Sequence, residues 1–171
     1  MKAIYVTGFM GAGKTTIGKQ LAEQLQLRVM DTDQMIEEIY GKSITEIFAE
    51  DGETTFRMYE KEILKTLPTD NIVITTGGGI VIQKENREWM RENGIVIYLH
   101  CEPEEIFRRL AHDNTRPLLK QNKKEEIRRL LLERLPYYKE ANITVNTTKL
   151  AVQEVVDDIV KRLKSYGKWE Y

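Results

Sequence analysis

Gly8, Gly13, Lys14 and Thr15 stand in the order Gly-x-x-x-x-Gly-Lys-Thr, with a further glycine, Gly11, inside the run. Those residue types at that spacing can do one kind of chemistry, holding a chain of phosphates. Glycines leave no side chain between the backbone and an anion, so successive amides can wrap around phosphate oxygens. The helix that should follow aims its first N–H groups and the positive end of its dipole at the same place. Lys14 would reach the β- and γ-phosphates of a nucleoside triphosphate, and the Thr15 hydroxyl would ligate Mg²⁺. The local context agrees, because residues 3–6 read as a buried strand and residues 16–25 as a helix.

Further candidates lie downstream. Asp31 and Asp33 follow a short strand at 28–30. If the strand geometry continues through them, their alternation sends the two carboxylates in different directions, one toward a metal and one toward an acceptor. Solvated loop carboxylates would give the same letters. Arg57 and Glu60 sit three apart on a helix expected over residues 54–67. Facing a pocket, that guanidinium grips a carboxylate or phosphate with two prongs; facing water, the pair is worth little. Gly77, Gly78 and Gly79 end the strand at 72–75, where open α/β sheets bind their ligands. Residues 112–124 are polar and basic around Pro117 and carry Arg116, which suits a lid over phosphates as well as a solvated loop. Arg134 follows that stretch.

The elements that must position these groups alternate. Strands at 3–6, 28–30, 72–75, 95–99 and 143–145 are separated by helical patterns, the signature of a parallel α/β sheet. Between the second and third strands lies a mostly helical insert, about 34–67. In it Gly41 stops one helix, and Ser43 with Glu46 offers a capping box for the next. Pro103 opens a helix on which Glu104 and Arg108 pair at i,i+4. A closing amphipathic helix covers 151–164.

Composition narrows the class. A chain of 171 residues is most simply one domain. Twenty-six basic against 27 acidic residues leave a net charge of −1, which gives no general electrostatic reason to bind nucleic acid or an anionic membrane. No apolar run reaches the length of a membrane span. The single cysteine, Cys101, excludes an internal disulfide, fits a reducing cytoplasm and is expected to be buried. Size and charge permit a monomer.

The order of the motifs is more specific than any one of them. Gly-x-x-Gly-x-Gly-Lys-Thr is followed by Asp-Thr-Asp, Phe-Arg-x-x-Glu, Gly-Gly-Gly, Arg-Pro-Leu-Leu and Arg-x-Pro-x-Tyr. From end to end the chain resembles the shikimate kinases. The resemblance implies a P-loop, nucleoside-monophosphate-kinase type of fold: three α/β/α layers, a five-stranded parallel sheet in the order 2-3-1-4-5, a helical substrate-binding insert and a lid loop. It implies transfer of the ATP γ-phosphate to the 3-hydroxyl of shikimate, in the pathway to chorismate and aromatic amino acids.

The resemblance also implies roles. Gly11, Ala12, Gly13, Lys14, Thr15 and Thr16 cradle the ATP phosphates, and Lys14 stabilises the transferring group. Thr15 and, through water, Asp31 serve Mg²⁺. Asp33 contacts the acceptor hydroxyl as its base. Arg57 and Arg134 grip the shikimate carboxylate, Gly78 and Gly79 offer backbone contacts, and Glu60 braces the pocket. Arg116 reaches the phosphates from the lid, and Arg109 lies beside the adenine, with Arg108 as its neighbour. In the adenine loop after the last strand, the chain offers only Lys149 as a basic residue. Another small-molecule kinase of the same fold, for gluconate or a nucleotide, would share the phosphate loop and lid. It would not need Phe-Arg-x-x-Glu together with three glycines. A regulatory, non-catalytic relative would be marked by a missing catalytic residue, and none is missing. No Asn-Lys-x-Asp guanine signal is present.

Overall fold

The computed structural model describes residues 1–111 and 123–166. Five strands form one sheet: β1 Ala3–Gly8, β2 Arg28–Asp31, β3 Ile72–Thr75, β4 Gly94–His100 and β5 Ile143–Asn146. Their spatial order is 2-3-1-4-5, and every pairing is parallel. β1 and β3 are buried at every position, as expected of strands covered on both faces. The register sets Thr75 between Asp31 of β2 and Val6 of β1. The carboxyl ends of the three strands β2, β3 and β1 therefore come together.

Helices cover the sheet. α1 Lys14–Leu25 buries Ile17, Leu21 and Ala22, and α8 Val152–Ser165 lies beside it with Val155, Val156, Ile159, Val160 and Leu163 turned inward. Gly18 lets α1 press onto β3, since a Cβ there would lie 2.2 Å from the Thr75 Cγ2. That close approach holds the phosphate-loop helix against the strand that ends in the three glycines. α5 Lys84–Asn93, α6 Pro103–Leu110 and α7 Lys123–Tyr138 complete the described α-helices outside the insert, and a 3-10 turn at Ile80–Ile82 follows the three glycines.

Between β2 and β3, α2 Thr32–Tyr40, α3 Ile44–Glu50 and α4 Glu53–Thr66 bury their own small core of Ile36, Ile47, Phe56 and Ile63. Gly41, at φ 66°, ends α2, and the Ser43 hydroxyl accepts from the Glu46 amide at the start of α3.

Three expectations are corrected. The strand does not continue past Asp31. That residue caps α2 by accepting from the Gln34 amide at 3.0 Å, and Asp33 lies in the first helical turn. The two carboxylates are therefore set apart by a strand-to-helix turn and not by strand alternation. Arg108 pairs with Glu105 at 2.6 Å instead of Glu104, whose carboxylate is taken by Lys124 and Arg128 from α7. The three-residue spacing wins because Glu104 faces a neighbouring helix. Lys123 and Lys124, assigned to the lid, open α7, while Arg116 and the rest of the lid lie outside the described residues.

Candidate active site

The loop between β1 and α1 curls through left-handed backbone at Gly11 (φ 80°) and Gly13 (φ 90°), the second being the N-cap of α1. These are conformations that a Cβ would resist. The curl places the α1 amides and Lys14 at the floor of an open cleft of about 620 Å³. Lys14 Nζ folds back to the Gly8 and Phe9 carbonyls at 2.6 and 3.2 Å. Thr15 and Thr16 line the cleft, and Ala12 is buried behind it. From α6, Arg109 bonds the Gly11 carbonyl at 3.0 Å and lines the same cleft, whereas Arg108 is three-quarters exposed. The structure thus sets Arg109, and not its neighbour Arg108, at the cleft.

Opposite the loop, Asp31 is fixed at both oxygens. Its Oδ1 accepts from the Gln34 amide and its Oδ2 from the Thr75 hydroxyl at 2.6 Å. The Thr32 hydroxyl accepts from the Gly77 amide at 3.1 Å, which ties the start of α2 to the glycine turn. Asp33 packs against that turn so closely that a Cβ on Gly77 would lie 2.6 Å from Asp33 Oδ1 and 3.0 Å from Glu60 Oε2. Two carboxylates therefore flank Gly77, and only a glycine leaves them room.

Beyond Asp33 lies a second, narrower pocket of about 70 Å³, walled by Arg57, Glu60, Gly79 and Arg134 with Phe48 and Phe56. Asp33, Gly77, Gly78 and Met10 line this pocket and the phosphate cleft alike. Both arginines are buried, at 8% and 3% exposure, and Glu60 is at 0%. Arg57 bonds Glu60 at 2.7 Å and Glu53 at 3.2 Å. Burial works against its charge, and those two carboxylates outweigh it. Burial pushes the Glu60 carboxyl up to about 7, with Arg57 opposing the shift. Arg134 stacks its guanidinium over Phe9 at 5.6 Å. Two buried guanidiniums on one pocket wall, only one of them paired with the neighbouring Glu60, suit a small anionic ligand.

The structure brings the sequence-selected residues to one edge of the sheet. Asp33, Arg57, Glu60, Gly78, Gly79 and Arg134 meet around one pocket, and Gly11, Gly13, Lys14, Thr15, Thr16, Asp31 and Arg109 line the adjoining cleft. The residues not singled out in the sequence are Thr32 and Thr75, which hold Gly77 and Asp31 in place. Nothing in the sequence marks the two threonines, whose roles arise from the β2–β3 register.

With this sheet order, this loop and a second, arginine-lined pocket opening from the same cleft, the chain is a P-loop kinase of small molecules. Comparison with known proteins refines that class. The family model described as shikimate kinase matches residues 10–164. A shikimate kinase of Bacillus cytotoxicus is 53% identical over 165 residues, covering 96% of this chain and 100% of the relative. The solved structure of a shikimate kinase from Acinetobacter baumannii in complex with shikimate superposes with a TM-score of 0.93. It is 37% identical and covers 99% of this chain and 96% of that one. The shikimate kinase of Aquifex aeolicus superposes at 0.86, with 35% identity over 97% of this chain and 98% of that one. The chain belongs to the shikimate kinase family.

Proposed function

We propose that this chain transfers the γ-phosphate of ATP to the 3-hydroxyl of shikimate, giving shikimate 3-phosphate and ADP, with residues 1–171 acting as one kinase domain. The observation that carries the reading is the shared wall. Asp33 borders the cleft where phosphates belong and the pocket where two buried arginines wait for an acid. A carboxylate in that position can hold a hydroxyl in line with a γ-phosphoryl group.

In this reading Arg57 and Arg134 anchor the substrate carboxylate, and Glu60 holds Arg57 in place through the 2.7 Å bond. The Gly78 and Gly79 backbone sets the ring, and Asp33 orients the reacting hydroxyl and takes its proton. Lys14 leaves its loop carbonyls for the phosphates and neutralises charge as it moves between oxygens. Arg109 borders the adenine, and Arg116 supplies a further cation. Mg²⁺ fits the donors present. Thr15 and Asp31 offer oxygen only, line one cleft, and leave most positions to phosphate oxygens and water, as that ion prefers. When bound, it would screen the β- and γ-phosphate charge. We place the protein in the cytoplasm as a monomer. For the compartment, the support is that the single cysteine, Cys101, is free and buried, as suits a reducing environment.

The test is ADP release with MgATP in the presence of shikimate, gluconate, quinate or no acceptor. Turnover that depends on shikimate is expected. Equal turnover without an acceptor, or preference for gluconate, would refute the assignment.

A further inference from the structure

The Arg-x-Pro-x-Tyr run ends in a residue to which the reading above gives no work. Tyr138, on the last turn of α7, is 1% exposed, and its hydroxyl donates to the Gly78 carbonyl. A phenol buried at that cost needs its polar end satisfied, and here it is satisfied by the glycine turn of the site itself. The ring is held from behind. It stacks on Tyr98 of β4 at 4.8 Å with only 5° between the planes. The Tyr98 hydroxyl in turn lies 2.8 Å from His100 Nδ1, and His100 Nε2 lies 3.0 Å from Glu102.

Occupying the Gly78 carbonyl has a consequence on the other side of the peptide. The bond between Gly78 and Gly79 is planar and trans, so the Gly79 N–H points opposite to the Gly78 C=O. Gly79 is buried, yet among the described residues its N–H has no acceptor, while the neighbouring Gly77 amide is taken by Thr32. On the pocket wall, a buried amide with no protein acceptor has its donor available to whatever fills the pocket. Gly79 also lies against the Arg57 guanidinium, and the Gly78 Cα faces Arg134, whose Nη1 would sit 3.5 Å from a Cβ there. Arg134 lies one helical turn before Tyr138 on α7.

We propose that Tyr138 is a positioning residue for acceptor binding: its hydroxyl fixes the plane of the Gly78–Gly79 peptide so that the Gly79 N–H is presented, between Arg57 and Arg134, to the carboxylate of the acid substrate. One helix thus supplies both an anchoring cation and the strut that aims the neighbouring amide. The inference rests on the two-arginine pocket being the acid site of the proposed reaction.

Tyr138→Phe removes the hydroxyl and keeps the stacked ring. KM for shikimate should rise about tenfold, as expected when one charge-assisted hydrogen bond is misaligned. KM for ATP and kcat should stay within about twofold, the pattern for lost ground-state binding. Tyr98→Phe removes the hydroxyl beside His100 but keeps the stack, and should leave both KM values alone. An unchanged KM for shikimate in Tyr138→Phe would overturn the proposal. So would a rise of both KM values together with a fall in kcat, or an equal rise in KM for shikimate in Tyr98→Phe. In the unaltered protein, the Gly79 amide proton should move downfield on titration with shikimate, and a resonance that stays put would overturn the proposal without any variant. Failure of the unaltered enzyme to phosphorylate shikimate would instead refute the assigned reaction.

Discussion

Gly79→Ala adds one methyl group to the site, and the structure says what it strikes. The new Cβ would lie 2.3, 2.4 and 2.5 Å from Nη1, Nη2 and Cζ of Arg57, where ordinary contact begins near 3.4 Å. The Gly79 backbone, at φ −97°, accepts an alanine without strain, so the collision is the whole effect. The guanidinium must retreat by about 1 Å, because methyl and guanidinium cannot share that space. Retreat stretches the 2.7 Å bond to Glu60, a carboxylate at 0% exposure. Weakening a charge-assisted bond in such a place costs about 2 kcal/mol. Carried into binding, that amounts to about a 30-fold rise in KM for shikimate. KM for ATP should not change, and the melting temperature should fall. Gly78→Ala is the internal standard, since its Cβ would meet Met10, Arg134 and Gly8 at 3.4–3.5 Å, ordinary contacts, and its melting temperature should match the parent. ADP release titrated against each substrate, with a thermal melt of both variants, makes the comparison. A Gly79→Ala enzyme with parental KM for shikimate and parental stability would refute the reasoning, because Arg57 would then have slack that the packing denies it.

Two further outcomes are expected. Asp33→Asn should lower kcat at least about 100-fold, within the range of a positioned base, with nucleotide affinity unchanged; a kcat within tenfold of the parent would remove Asp33 from that role. Glu60 links folding to pH. Its carboxyl rises from 4.5 to about 7 in the folded state, so the folded protein holds the proton more tightly than the unfolded chain does. Its contribution is full below pH 4.5 and is lost as pH rises through 7, a change of about 3 kcal/mol at about 1.4 kcal/mol per unit. Denaturant melts of the parent and Glu60→Gln across pH 4.5–7 isolate it, because other carboxylates cancel in the difference. A flat difference would mean that Glu60 is charged throughout.

The sequence by itself determined the nucleotide half of the site. A phosphate loop is a contiguous segment whose function lies in its backbone, so glycines at fixed spacing before a lysine spell it out locally. The alternation of apolar strands with helices likewise made the parallel sheet legible, because burial on both faces leaves its mark in the central strands β1, β3 and β4. The acceptor half was legible as parts, and its assembly was not. Arg57 and Glu60 could have faced water on composition alone, and it is the docking of α4 beside the glycine turn that buries them together. Arg134 is 77 positions from Arg57, and it is the packing of α7 and α4 alike against the turn that follows the three glycines that sets both on one pocket. Thr75 steadies Asp31 because β2 and β3 pair in a register that no single strand encodes. The separation of Asp31 from Asp33 came from a helix cap where strand alternation was expected, since a carboxylate at a strand end can satisfy orphan amides by starting a helix. Local conformation is written in neighbouring residues. A pocket is made by side chains distant in sequence, whose burial and partners exist only once the elements have packed.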